Sequence, residues 1–115
     1  MIQSVYVVNK QGETLVSVAI GEFQMDDDLF GGFVSALQMY SQKISGNDVN
    51  SLNLDNYRIV SSRFHENFLV TVHDREDSDA DEMNSRLNSL VEQSYNNITK
   101  SDTIDMIRRE VSPDY

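Results

Sequence analysis

The chain contains no cysteine, which removes disulfides and thiolate chemistry together and fits a cytosolic protein. It is also poor in cations. Nine Lys and Arg face nineteen Asp and Glu, a formal net charge of −10 over 115 residues. Acidity on this scale repels phosphate backbones and anionic head groups, so neither nucleic acid nor a membrane surface is an expected partner. A basic patch on another protein suits it better, with association that weakens as salt rises. No apolar run approaches the ~20 residues that span a bilayer. Met1-Ile2-Gln3-Ser4-Val5 passes straight into strand pattern, without the basic region and small-residue site of a signal peptide. These absences predict a soluble cytoplasmic protein with no direct membrane insertion. In that context the sequon Asn97-Ile98-Thr99 reads as chance.

Catalytic signatures are missing too. Gly31-Gly32 lies inside a helical pattern and lacks the lysine of a phosphate-binding loop. No strained G-x-S-x-G turn offers a nucleophile. His65 and His73 have no partner at metal-ligand spacing. Asp77, Asp79 and Asp81 alternate as in a calcium loop. The pattern fails where glycine and a distal glutamate are needed, at Glu82 and Asn88, so the stretch reads as a solvated linker entering a helix. The expectation is a protein that is not an enzyme, with no catalytic, cofactor or metal site.

What is present is ordered secondary structure. Ile2 to Val8 and Thr14 to Ile20 are rich in β-branched residues, and Asn9-Lys10-Gln11-Gly12 supplies turn chemistry between them. Val5-Tyr6-Val7-Val8 is apolar at consecutive positions, which predicts a strand covered on both faces. The aspartates of Met25-Asp26-Asp27-Asp28 cap a helix. Its apolar stripe of Leu29, Phe30, Phe33, Ala36, Leu37, Tyr40 and Ile44 is expected to face the core. Gly31-Gly32 implies close approach to the sheet, and Gly46 is the expected C-cap. Three short strands follow. Ser51 to Asp55 is an edge strand with Leu52 and Leu54 inward, and Tyr57 to Phe64 comes next. Phe68 to His73 is apolar on both faces and belongs near the sheet centre. Ser78 or Asp79 caps a second helix with Ala80, Met83, Leu87, Leu90, Val91, Ser94 and Ile98 inward. A third runs from about Asp102 to Val111, with Ile104, Ile107 and Val111 inward, Met106 outward, and Pro113 as its stop.

This ββαβββαα order, the opening Val5-Tyr6-Val7-Val8-Asn9-Lys10-Gln11-Gly12 and the helix start Asp28-Leu29-Phe30-Gly31-Gly32-Phe33 resemble the longin-like domains of the longin/roadblock superfamily, in a stand-alone prokaryotic or archaeal form. The resemblance spans Ile2 to about Val111, so residues 1–115 read as a single longin-like domain. It implies an α+β fold whose five-stranded antiparallel sheet runs in the order 2-1-5-4-3, with helix 1 on one face and helices 2 and 3 on the other. Roadblock modules normally begin with a helix, so the opening strand favours longin. Longin domains are noncatalytic platforms that bind small GTPases and form homo- or heterodimers in trafficking-like complexes. The expected partner is therefore a small GTPase or another longin or roadblock protein. Longin SNAREs continue into a coiled coil and an anchor, and with the chain ending at Tyr115 no fusion role is expected.

The expected contact surface is helix 1's polar outer face (Ser35, Gln38, Met39, Gln42) with the edge strand (Ser51, Asn53), whose unpaired backbone could extend the sheet into a partner. The alternative is a profilin-like or PAS-like small-ligand sensor, although the expected interior of Phe, Leu, Val and Ile offers no convergent polar groups. A calcium-responsive module is a third reading.

Overall fold

The computed structural model describes residues 1–96 and 99–111; Ile98 and Pro113, expected to continue the second helix's apolar face and to stop the third, lie outside the described residues. The elements are β1 (Ile2–Asn9), β2 (Thr14–Ala19), α1 (Asp27–Ser45), β3 (Ser51–Leu54), β4 (Tyr57–Phe64), β5 (Asn67–Asp74), α2 (Ala80–Ser94) and α3 (Lys100–Val111). The strands form one antiparallel sheet in the order β2-β1-β5-β4-β3, as the resemblance implied.

Strand periodicity builds two cores from one sheet. Val5 and Val7 of β1 join Val16, Val18, Phe64 and Leu69 beneath Leu87 and Val91 of α2 and Ile107 of α3. The alternate residues Tyr6 and Val8 join Ile59, Phe68, Val70 and Val72 beneath Phe30 and Val34 of α1. Val5, Val7, Val8, Leu69, Val70 and Val72 are fully enclosed. Continuous apolarity in β1 and β5 therefore does report burial on both sides. Tyr6 stacks on Phe30, with ring centroids 4.0 Å apart at 21°, a contact worth about 0.5–1.5 kcal/mol beyond its area.

The turns follow local chemistry. Gly12 closes the first hairpin at φ 88, and Asn9 Oδ1 accepts from the Gln11 and Glu13 amides. Gln3 sits at a bulge between β1 and β5 and ties down the segment that leaves β2. Its side-chain Oε1 accepts from the amides of Glu22 and Phe23 at 2.7 and 3.2 Å, and its Nε2 donates to Asp74 at 2.8 Å.

Three expectations need correction in detail. Leu54 is exposed rather than inward, because β3 is an edge strand that projects beyond the helix cover. Met106 is half-buried against the α2–α3 core, with its sulfur 3.5 Å from Ser94 Oγ. Lys100 rather than Asp102 begins α3, and the Thr99 hydroxyl accepts from the Asp102 amide there.

Candidate protein-docking surface

Helix α1 begins as its sequence dictates. The Asp26 carboxylate accepts from the amides of Asp28 and Leu29 at 3.0 and 3.1 Å. Gly46, at φ 77, returns its N–H to the Gln42 carbonyl. The face it turns to the sheet is not the expected one. Phe30, Gly31, Val34 and Gln38 are buried, whereas Leu29, Ala36, Tyr40 and Ile44 are exposed, and Phe33 and Leu37 are half-buried. Close approach decides this orientation. A Cβ on Gly31 would stand 2.3 Å from the Gly12 carbonyl oxygen and 2.9 Å from Thr14 Oγ1. Gly31 therefore has to lie against the first hairpin, which rotates the broad apolar stripe toward solvent. Gly32 meets nothing within 4 Å, so only one of the two glycines serves packing.

Gln38 completes the correction. Expected on the outer face, it is 4% exposed and wholly engaged inside. Its Nε2 donates to the Val49 carbonyl at 3.1 Å and to Ser61 Oγ at 3.2 Å, while its Oε1 accepts from the Val49 amide at 2.8 Å. A buried amide with both ends satisfied substitutes for an apolar residue at little cost.

The result is an uncovered apolar face. Ile44 is 82% exposed, Tyr40 67% and Leu29 65%, while Met39, at 57%, lies on the other flank of the helix. Met25, just before the helix, and Leu54 of β3 are exposed nearby in the fold. Apart from Met1, every strongly exposed large apolar side chain among the described residues lies on α1, on its approach or on β3. Single exposed apolar residues are ordinary, but a contiguous set marks a docking surface. A small, almost wholly apolar hollow of about 130 Å³ adjoins it, lined by Phe23, Gln24, Met25, Phe30, Phe33, Leu54 and Ile59. At the sheet edge beside it, β3 pairs only with β4.

The other flank of α1 borders a shallow depression of mixed character and about 460 Å³, lined by Lys10, Ser35, Gln38, Met39, Gln42, Arg63 and Phe68. Four of the expected contact residues thus come together there, while Ser51 and Asn53 sit exposed on β3. Charges in the depression are already matched. Arg63 forms a two-pronged pair with Asp48, at 2.9 Å on each prong, and lies 4.8 Å above the Phe68 ring. The Arg63 hydrogen bond holds the Asp48 carboxyl below its ordinary range. Lys10 is paired with Glu66.

On the opposite face of the sheet is a polar network that sequence reading missed. Asn84 Nδ2 lies 3.0 Å from Thr71 Oγ1, Thr71 Oγ1 lies 2.7 Å from His73 Nε2, and His73 Nδ1 lies 2.9 Å from Asp77. Burial pushes the His73 pKa down, against the pull of Asp77. The neutral ring satisfies every link: Asn84 donates to Thr71, Thr71 to His73 Nε2, and His73 Nδ1–H to Asp77. Burial alone would raise Asp77, but the Asp79 amide, His73 and the Met1 amino group outweigh it and hold the carboxyl low. The Thr-His-Asp order resembles a hydrolytic relay. Thr71 and His73 are fully enclosed, however, so no substrate reaches them and the chain of bonds serves to pin α2 to β5. Asp77 is thereby committed internally, and Asp81 pairs with Arg58 at 3.0 Å, so two carboxylates of the calcium-like spacing already have partners. No helix among the described residues is long and apolar enough to cross a membrane.

No family model and no curated protein sequence matches this chain. Solved structures do. A roadblock/LC7 domain from Streptomyces avermitilis is similar over 82% of this chain and 85% of its own, with 17% identity and a TM-score of 0.64. MglB from Myxococcus xanthus is similar over 84% and 85%, with 15% identity and a TM-score of 0.60. The chain has the fold of the longin/roadblock superfamily. The sheet order and the split of helices between its faces are those the resemblance implied.

Proposed function

We propose that this chain acts as one domain that binds protein partners without catalysis, docking them on the outward face of α1 and the open edge of β3. The observation that carries this reading is the placement of Leu29, Tyr40 and Ile44 in solvent on one helix face, beside an apolar hollow. Apolar area on this scale stays exposed at a cost in solubility unless a partner covers it. Met39, Gln42, Ser51 and Asn53 flank the docking face, and Ser35 lies at its inner margin. The superfamily fold supports a small GTPase, or another longin or roadblock domain, as the partner, in a cytoplasmic regulatory or trafficking-like assembly.

The test is affinity capture from the native cytosol with wild-type, Ile44→Asp and Tyr40→Asp baits at low and high salt. Recovery of a small GTPase or a domain of this fold, lost with either variant while folding by circular dichroism is unchanged, supports the reading. A partner retained by both variants moves the docking site elsewhere. A ligand sensor would instead gain melting temperature from a small molecule across a metabolite panel. The depression beside Gln42 and Arg63 offers such a molecule two cations that are already paired.

A further inference from the structure

The sheet has a second open edge, and its surroundings differ in charge from the rest of the chain. Among the described residues β2 pairs with β1 alone. The Ile20 amide donates to the Gln3 carbonyl, and in the same register Val18 lies opposite Val5 and Val16 opposite Val7. Alternate residues of an antiparallel pair turn their backbone groups toward each other. Val16 and Val18 therefore bond to β1, while Ser17 and Ala19 direct their N–H and C=O groups outward. Both carry small, uncharged side chains, so neither bulk nor charge on the strand itself guards this edge.

Helix α3 runs beside it. Lys100 and Thr103 border a hollow of about 470 Å³ together with Leu15 and Val16 of β2 and Tyr95. Further along, Arg108 Nη1 reaches the Ala19 carbonyl at 3.5 Å. Lys100, Ile104 and Arg108 recur at four-residue spacing and form one stripe on the helix, with Asp102 and Asp105 on its other sides. Both cations of the stripe are exposed. The ion pairs among the described residues engage Lys10, Arg58, Arg63 and Arg86 instead. On a chain of net charge −10, a strand edge flanked by two such cations is the exception.

We infer that the β2 edge takes up an extended acidic segment of another protein, which adds a strand to the sheet and sets carboxylates against Lys100 and Arg108. The site lies at the opposite edge of the sheet from the docking face proposed above and acts independently of it. Spacing defines the segment. Lys100 and Arg108 stand eight residues apart on α3, about 12 Å at 1.5 Å per residue. Four residues of a strand span about 13 Å. Acidic residues four apart therefore reach both cations, and the even spacing turns them to one face of the new strand. The residue midway between them faces the same way, toward half-buried Ile104, and an apolar side chain suits it. The two remaining residues bring their backbone groups to Ser17 and Ala19. Arg108 then exchanges its long contact with the Ala19 carbonyl for a carboxylate, a stronger partner, and leaves that carbonyl to the incoming strand.

The probe is a synthetic peptide, Glu-Thr-Val-Thr-Glu with blocked ends, titrated to millimolar concentration into the isotope-labelled whole chain. The Ser17 and Ala19 amide resonances should shift and saturate. Lys100→Glu and Arg108→Glu should each weaken binding roughly five- to tenfold at unchanged melting temperature, since each removes an attraction and adds a repulsion of similar size. N-methylation of the two threonines removes main-chain donors while leaving the charges, and should abolish binding. Ile44→Asp on α1 should leave binding intact. No shift at millimolar peptide overturns the site, and so do shifts centred on β3. Equal binding of Lys-Thr-Val-Thr-Lys, or unchanged binding by both charge variants, removes the electrostatic basis and overturns it as well. Equal binding of the N-methylated peptide rules out the added strand. The α1 docking reading is decided separately, by the partners captured through Tyr40 and Ile44.

Discussion

Two adjacent glycines in α1 should respond to alanine with opposite signs. Gly32 has a helical backbone and open space around its missing Cβ. Alanine there removes only the backbone entropy that glycine forfeits, a gain of about 0.8–1 kcal/mol. For a chain of this size that is roughly 4 °C in melting temperature. Gly31 would have the same intrinsic gain. Its new methyl, however, would stand 2.3 Å from the Gly12 carbonyl and 2.9 Å from Thr14 Oγ1. Neither can yield easily: Gly12 is held at φ 88, and the Thr14 hydroxyl donates to the Asp27 carbonyl at 2.6 Å. The helix must lift off the first hairpin, straining the Tyr6–Phe30 stack beside it. Overpacking of this kind costs about 1–3 kcal/mol, which leaves G31A about 0–2 kcal/mol below wild type and about 1–3 kcal/mol below G32A. Urea denaturation of G31A, G32A and wild type measures both, at two protein concentrations so that association is separated from folding. If G31A is as stable as G32A, the glycine does not set the orientation of α1, and the explanation for the outward apolar face fails.

Acid should destabilise the fold in two stages. His73 has a depressed pKa when folded, so its contribution is full above the unfolded value of about 6.5 and is lost as pH falls below it. Asp77 is likewise depressed, and its contribution disappears only as pH drops below the ordinary carboxylate range. Urea midpoints from pH 8 to 4 should show the upper stage in wild type and not in His73→Asn. Asn84→Leu removes the donor to Thr71 and to the Val60 carbonyl at 3.0 Å. It should cost about 1–3 kcal/mol, because buried acceptors are left unpaired; a neutral result would mean that α2 is held by its apolar face alone. Asp48→Asn breaks a surface pair with Arg63 and should change stability by less than ~1 kcal/mol, a difference that added salt should erase.

The sheet was legible in the sequence because its signals are local. Consecutive valines in β1 and Phe68–Val72 in β5 carry two-sided burial in their composition, and Gly12, Asp26 and Gly46 mark ends by backbone chemistry alone. The facing of α1 was not legible. Periodicity finds an apolar stripe but does not say whether the sheet or a partner covers it, and a spacing that includes Leu29, Tyr40 and Ile44 fits both. The deciding contact, Gly31 against Gly12, lies between residues nineteen apart in sequence and leaves no periodic trace. Gln38 misled for a related reason: glutamine on a helix reads as exposed unless its partners, here the Val49 backbone and Ser61, are known. The Asn84–Thr71–His73–Asp77 chain escaped because each member is ordinary by itself. One signal was available: Asn84 falls on the buried face of α2 between Ala80 and Leu87, and a polar residue there requires buried partners.

The bulge at Gln3 has a practical consequence for anyone handling this protein. One carboxamide on the first strand fixes the amides of Glu22 and Phe23, and so decides where Phe23 and Met25 stand. The rim of the apolar hollow is thus assembled from the chain's third residue. Trimming or remodelling the amino-terminal residues, a routine step in protein production, would leave the sheet standing while it blurred the proposed docking surface. Loss of binding in such a preparation would say nothing about the helix proposed to carry the contacts.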